Sequence, residues 1–228
     1  MKRMIIFMIL LFPVVVMSDE TYQGLWVGQV ELDQVTEISS NTVQPVKHVF
    51  DMTLLLHVDK NNVVRLLRHV TMMQKREIID ENEIVRRVLI TDDTLLPEYE
   101  GIVRRDGKLS GIRLGTLAYG FSSDSDTTQK IMEGTMGQTI SCELIMNHNH
   151  PTNPFKHLYH PDHKQGKDIT RLIELTFSNV NHNNPDDEKF ALAGQYKEEI
   201  IGLLKHTLSI VGSFNLQHVS NVGTLNDQ

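Results

Sequence analysis

The chain has 228 residues and a formal net charge of −7, with 40% hydrophobic and 6% aromatic residues. This length suits one large domain. The chain is acidic and has no Lys- and Arg-rich stretch interleaved with aromatics. We therefore expect neither nucleic-acid binding nor attachment to an anionic membrane surface. Cys142 is the only cysteine, which excludes an intramolecular disulfide.

The N-terminus has the pattern of a cleaved secretory signal. Lys2 and Arg3 precede an apolar run over residues 5–17 that is too short to span a bilayer and ends in small residues. An uncleaved anchor is disfavoured by a proline inside the run and two acids after it. We expect a signal peptide over residues 1–18 and a single β-domain over residues 19–228. The mature chain would be secreted or periplasmic, carry a net charge of −9 and not be embedded in a membrane.

Hydrophobic residues alternate with a period of two along the first half of the chain, which predicts β-strands. One face of the first strand is apolar: Trp26, Gly28, Val30 and Leu32. Residues 50–58 and 63–73 flank a turn sequence at 59–62, which predicts a long hairpin. Further strands are predicted at 84–91, 108–114, 130–136 and 138–146, and a short helix at 92–96. Arg86-Arg87 is flanked by acids and indicates surface ion pairs.

The second half shows the clearest alternation. Strands are predicted at 169–177, 191–201 and 206–218, with polar loops at 122–128 and 179–188. Roughly ten strands without a linker predict a single all-β domain, an antiparallel barrel or sandwich. Glycines beside large aromatics, such as Gly194 near Tyr196 and Gly212 near Phe214, favour a barrel because they accommodate packing at bends. Gly24-Leu25-Trp26 also resembles the Gly-x-Trp opening of lipocalin-like barrels.

A histidine-rich segment interrupts the strands between residues 147 and 168, with the sequence NHNHPTNPFKHLYHPDHKQGKD. It holds five of the eleven histidines: His148, His150, His157, His160 and His163. His160-Pro161-Asp162-His163 suits a type I turn, which brings its first and fourth Cα atoms within about 7 Å. That turn would set His160 and His163 as a chelating pair, with His157 upstream.

Two interpretations of this segment stay open. Imidazoles of His157, His160 and His163, with His148 and His150 as further candidates, suit a divalent metal such as Zn. Asp162 or Asp168 would supply an oxygen ligand or orient a ring. Water on such a metal becomes a nucleophile, so one hypothesis is a metal-dependent hydrolase. Alternatively, the long loop is a structural clamp that prolines make rigid and aromatics anchor across the barrel mouth.

The stretch from Asn153 to His163, Asn-Pro-Phe-Lys-His-Leu-Tyr-His-Pro-Asp-His, resembles one in uncharacterised, exported bacterial β-rich proteins. The resemblance extends to a Gly-Ser-Phe-x-Leu strand at 212–216 and the ending Asn-Val-Gly-Thr-Leu-Asn at 221–226. It would cover most of the mature chain and implies no particular activity.

The leading interpretation is an exported binding or cell-envelope interaction module. Its partner would be a protein, a glycan or a small ligand. The histidine-rich loop would close one end of the domain and bind a divalent metal, and no catalytic residue is assigned. Cys142 alternates with Ile140 and Leu144 on one strand face, which predicts a small buried hydrophobe rather than a nucleophile.

Overall fold

The structure is a computed structural model. It describes residues 22–38, 42–46, 51–79, 82–100, 102–103, 109–116, 119, 128–149, 153, 166–178 and 191–227. The predicted signal peptide lies outside these ranges, as do most of the two polar loops. Among the helices in the described ranges, none is long and apolar enough to cross a membrane.

The described chain is almost entirely β. In chain order, the strands that begin before residue 100 are β1 (Gly24–Glu37), β2 (Thr42–Pro45), β3 (Asp51–Val58), β4 (Val64–Leu67), β5 (His69–Ile79) and β6 (Asn82–Ile90). The later strands are β7 (Ile102–Val103), β8 (Leu109–Ser110), β9 (Ile112–Gly115), β10 (Gln129–Ile131), β11 (Glu133–Gly134), β12 (Thr139–Met146), β13 (Ile169–Phe177), β14 (Ala191–Ile201) and β15 (Leu208–Ser220). A 3-10 helix, Asp93–Glu98, follows β6, which confirms the short helix predicted there.

The main sheet is a nearly closed antiparallel barrel, which confirms the expected fold class. Its strand order is β10-β4-β3-β1-β15-β14-β13-β12-β11, and β2 pairs with the far end of β1. Only Met132 separates β10 from β11 in the chain, and its amide donates to Val64 O at 2.9 Å. The segment 129–134 therefore pairs with β4 on one side and with β12 on the other, and joins the two edges of the sheet.

Inward-facing side chains of the barrel strands form one contiguous core. It contains Trp26, Leu54, Leu56, Leu144, Leu175, Tyr196, Phe214 and Leu216, among others. Gly194 lies between Phe177 and Phe214 in the cross-strand register, and the two phenyl rings meet edge to face with centroids 5.1 Å apart. A Cβ on Gly194 would lie 2.8 Å from the Phe214 ring, so glycine is required for this contact. The glycine–aromatic pattern thus reflects close packing inside the barrel.

A second, three-stranded sheet in the order β6-β5-β9 was not predicted. The strand expected over 63–73 is wrong as one element, because it divides at Arg68. The Arg68 amide donates to Thr128 O at 2.8 Å, and its carbonyl accepts from the Thr116 amide at 2.9 Å. The chain thereby leaves the barrel after β4 and enters the second sheet as β5. This sheet packs on the outside of the barrel through Leu25, Leu55, Leu67, Val70 and Leu89.

The C-terminal residues 221–227 run back over this second layer. Val222 O accepts a hydrogen bond from His57 Nε2 at 3.0 Å, and Asn226 N donates to Leu89 O at 2.8 Å. His57 is 1% exposed, and no described group bonds its buried Nδ1. Burial lowers the pKa of His57, against the opposing effect of its bond to Val222. The tail therefore covers a histidine of β3.

Candidate functional site

The described base of the histidine-rich segment lies between the end of β12 and the start of β13. These two strands are antiparallel partners, and their last pair joins Met146 to Ile169. Asn153 is only 2% exposed, and its side-chain amide bridges the two ends of the segment. It donates to Asn147 O at 3.0 Å and to Lys167 O at 2.7 Å. One buried amide thus links two carbonyls that lie six and fourteen residues away from it in the chain.

His148 and Asp168 make a second closure at the same place. The His148 amide donates to Asp168 Oδ1 at 2.5 Å, and the ring Nδ1 lies 2.7 Å from the same oxygen. Because a carboxylate only accepts, Nδ1 carries a proton, and in the neutral ring Nε2 then carries the lone pair. The hydrogen bonds from the His148 amide and ring lower the pKa of Asp168 below its usual value. Asp168 therefore holds the His148 ring in one orientation and one tautomer.

The other residues predicted as metal ligands lie outside the described part of the chain: His150, His157, His160, Asp162 and His163. The predicted chelating turn at 160–163 is therefore an untested prediction. Among the described residues, no group of three His, Cys, Asp or Glu side chains is placed to hold a metal ion. His148 is the single predicted ligand whose geometry is described. Its orientation by a carboxylate through Nδ1 is the arrangement usual for a histidine that binds metal through Nε2.

A buried ion pair lies inside the barrel, one inward-facing position along from Ile169. Arg171 Nε donates to Glu198 Oε1, and the two residues are 4% and 1% exposed. Tyr196 OH donates to the other carboxylate oxygen at 2.8 Å. The Arg171 guanidinium carbon also lies 5.4 Å from the centroid of the Tyr119 ring, within cation–π range. This cluster places polar groups in the middle of an otherwise apolar interior.

The electrostatics of the cluster favour the charged form of Arg171. Burial lowers the pKa of Arg171, but the charge of Glu198 and its hydrogen bond outweigh burial, so the pKa ends above its ordinary value. Burial raises the pKa of Tyr119 and of Tyr196, so both phenols stay protonated. Burial also raises the pKa of Cys142 to about 12. A thiol that remains protonated is a poor nucleophile, which supports its predicted role as a buried hydrophobe.

Sequence reasoning did not single out Arg171 and Glu198, although the signal was present. Arg171 stands in the inward-facing series of β13 between Ile169 and Ile173, and Glu198 stands between Tyr196 and Ile200 in β14. A charged residue at an inward position of an alternating strand indicates a buried, paired charge. These two charged residues stand at inward positions of neighbouring strands, and that placement would have identified them as a pair.

The outer face of the barrel carries a shallow groove of about 450 Å³ over β12, β13 and β14. Its charged lining consists of Lys130, Glu133, Glu143, Glu174, Lys197 and Glu199. Lys197 Nζ lies 3.2 Å from Glu199 Oε1, so the groove partly neutralises itself. Small-molecule sites are mostly apolar and enclosed, which this solvated groove is not. We therefore place the candidate site at the base of the histidine-rich segment.

No protein-family model matches this chain, and no curated protein sequence matches it significantly.

Proposed function

We propose that the protein is an exported β-barrel binding module that presents the histidine-rich segment 147–168 to a partner at one end of the barrel. The observation that carries the proposal is the double closure at the base of this segment by Asn153 and by the His148–Asp168 contact. A base fixed in this way lowers the conformational entropy that a loop loses when it binds. The barrel supplies the rigid scaffold on which such a loop is carried.

The barrel interior argues for binding by the loop rather than inside the barrel. Large side chains such as Trp26, Tyr196 and Phe214 occupy it, and Arg171 and Glu198 satisfy each other there. The ends of β12 and β13 are also closed from within by an apolar cluster: Met146, Ile169, Ile200 and Ile210. A protein, glycan or small-ligand partner is therefore expected to bind the histidine-rich segment rather than the barrel interior.

A divalent metal, with zinc as the first candidate, would organise the same segment. His157, His160 and His163 would supply imidazole ligands, and the oriented ring of His148 would supply another through Nε2. This role for His148 is supported by its tautomer, which Asp168 fixes with the lone pair on Nε2. The other ligands are proposed from the sequence alone.

Zinc loading of the mature chain tests the proposal. Purified protein is loaded with zinc, exhaustively dialysed and measured by elemental analysis, alongside a His160→Ala/His163→Ala variant. The control is His206→Ala, which removes an exposed histidine from a different part of the chain. We expect stoichiometric zinc in the wild type and in the control, and loss of it in the double variant. Zinc content that is zero throughout, or unchanged by the double substitution, would contradict the metal-organised loop.

A metal-dependent hydrolase is the second candidate, and the His148–Asp168 contact is the observation that favours it. Metal-bound water would be the nucleophile, and the chain's own contribution would be to orient the ligands and hold the site at the barrel rim. The zinc-loaded protein is assayed on activated esters and phosphoesters, with Asp168→Asn as the variant. Turnover that depends on zinc and falls about 10- to 100-fold in that variant would support the hydrolase. Zinc binding without turnover would contradict the hydrolase and leave the binding module as the proposed function.

A further inference from the structure

The hairpin formed by β5 and β6 exposes several apolar side chains. Ile78 is 81% exposed, Val85 is 52% exposed and Ile84 is 43% exposed. The two strands stay paired as far as Ile79 and Asn82. Ile78 and Val85 lie on the same face of the hairpin, and Ile84 lies on the opposite face.

Strand β6 is the edge of the second sheet, and its backbone orientation can be read from bonds already present. Leu89 O accepts from Asn226 N, and Thr91 N donates to Asn226 Oδ1, so both residues turn these groups away from β5. On the opposite side of β5, Gln74 N donates to Glu100 O. Gln74 is the register partner of Arg87, so Arg87 also faces away from β5.

Because this orientation alternates along a strand, Glu83, Val85 and Arg87 direct their N–H and C=O groups to the outer edge of β6. Among the described residues, the tail bonds backbone groups of that edge only from Leu89 onwards, although Asp227 also pairs with the Arg86 side chain. Among the described residues, no strand pairs with the edge from Asn82 to Val88. An unpaired edge of this length is a template for the addition of another strand.

The side chains along this edge are self-complementary. When two copies of β6 run antiparallel about a two-fold axis at Val85, Val85 faces its own copy, and Glu83 of each copy faces Arg87 of the other. Glu83, Val85 and Arg87 share one face, so the sheet would carry a Val–Val contact between two Glu–Arg pairs. Among the described residues, no hydrogen bond or ion pair engages the Arg87 guanidinium, whereas Glu83 already accepts from Arg76 Nη1 at 2.7 Å.

We propose that the edge of β6 is a homodimer surface, at which two copies of this chain join their second sheets through an antiparallel β6–β6 contact centred on Val85. The contact is isologous, because the same residues serve on both copies, as a two-fold dimer requires. The site lies on the second sheet and does not depend on the histidine-rich segment. The C-terminal tail limits the contact by occupying the edge at Leu89.

The decisive variant is Val85→Pro. Proline at this position removes an N–H that points to the outer edge and leaves the β5–β6 hydrogen bonds in place, so the hairpin should persist. Molar mass is measured by sedimentation equilibrium over a range of concentrations, and the fold is checked by circular dichroism. We expect a concentration-dependent dimer for the wild type and a folded monomer for Val85→Pro. A monomeric wild type at every soluble concentration, or a dimer that Val85→Pro leaves intact, would overturn the proposal.

Charge reversal separates this surface from other modes of association. Arg87→Glu places like charges opposite each other at two positions of the contact and should raise the dimer dissociation constant about tenfold. Combining Glu83→Arg with Arg87→Glu restores opposite charges across the two-fold axis and should restore dimerisation. A double variant that dimerises no better than Arg87→Glu alone would contradict the antiparallel register, even if a dimer exists.

Discussion

Arg171 and Glu198 meet across the β13–β14 pairing although they are not register partners, since Arg171 is opposite Ile200 and Glu198 is opposite Ile173. The ion pair is therefore diagonal and spans two rows of the barrel wall. The Tyr196 hydroxyl donates to the second oxygen of the Glu198 carboxylate, so both carboxylate oxygens accept a hydrogen bond. A buried carboxylate with these partners cannot lose its charge without leaving a buried guanidinium uncompensated.

We expect Glu198→Gln to lower the free energy of unfolding by about 3–5 kcal/mol, because it leaves Arg171 charged and buried. The neighbouring Glu199→Gln is the matched control, since that side chain lies on the outer face and pairs with the exposed Lys197. Urea denaturation measures the free energy of unfolding of both variants, and its dependence on urea concentration should have the same slope in each. Replacing the pair together, as Arg171→Met with Glu198→Leu, should recover most of the loss. Equal effects of the variants at 198 and 199 would show that the interior pair is not coupled.

Gly194→Ala should destabilise the barrel by about 1–3 kcal/mol through overpacking. The added methyl would lie 2.1 Å from Thr176 O and 2.8 Å from the Phe214 ring, so both the strand and the ring must move. Thermal unfolding measures the change, and Ala193→Ser, on the outward face of the same strand, is the control. A melting temperature within error of wild type for Gly194→Ala would mean that the phenyl pair adapts freely.

His57 makes stability depend on pH near neutrality. Its pKa in the folded chain is lowered from 6.5, first by burial, whereas the unfolded chain keeps the ordinary value. The unfolded state therefore takes up a proton first, so stability is fully present above about pH 6.5 and declines as the pH falls towards the lower folded pKa. His57→Gln keeps a donor for Val222 O and should flatten this decline. Burial also lowers the pKa of His69, so this histidine should contribute to the decline in stability that persists in the variant. An identical pH profile for the variant would rule out His57 as the cause.

The C-terminal tail should depend more on Asn226 than on Asp227. Asn226 Oδ1 accepts from the amides of Thr91 and Asp92 at 2.8 and 3.1 Å, whereas Asp227 pairs with the partly exposed Lys75 and Arg86. We expect Asn226→Ala to cost about 1–3 kcal/mol by leaving amides unbonded. Asp227→Asn should cost less, because solvent screens its ion pairs. Amide hydrogen exchange at Thr91 measures release of the tail, and the reverse ranking would contradict this account.

Asn153→Ala should open the base of the histidine-rich segment. The two carbonyls that Asn153 bridges, at Asn147 and Lys167, lose their side-chain donor, at a cost of about 1–3 kcal/mol. The expected result is faster amide exchange at the ends of β12 and β13, with the rest of the barrel unchanged. Asn149→Ala, in an exposed turn of the same segment, is the control. If amide exchange at the ends of β12 and β13 is equally fast in both variants, Asn153 does not close the base.

The barrel could be predicted because its strands bury one face each, which leaves a period of two in the sequence. β13 is the clearest case, since its inward positions from Ile169 to Phe177 are all buried. The second sheet could not be predicted in this way. In β3, Leu54 and Leu55 are both fully buried, because the second layer covers the outer face as well. Burial on both faces removes the alternation on which the prediction depends.

The candidate site was predictable in position and only partly in detail. The unusual composition between residues 147 and 168 located the segment, and Asp168 had been expected to orient a histidine. The closing role of Asn153 was not foreseen, because it depends on the separation of Asn147 and Lys167 in space. Neither the division at Arg68 nor the return of the tail to Leu89 has a local signal, since both depend on bonds between distant parts of the chain.

The pairing of β1 with β15 determines when this barrel can be completed. These strands hold the longest register of the main sheet, yet they lie at opposite ends of the sequence. During synthesis, β1 must wait for its second neighbour until residues 208–220 have been made, and contacts so distant in sequence form slowly. An incomplete chain therefore remains without a closed barrel. If the chain is exported as proposed, that delay would keep it unfolded for passage through a secretion channel.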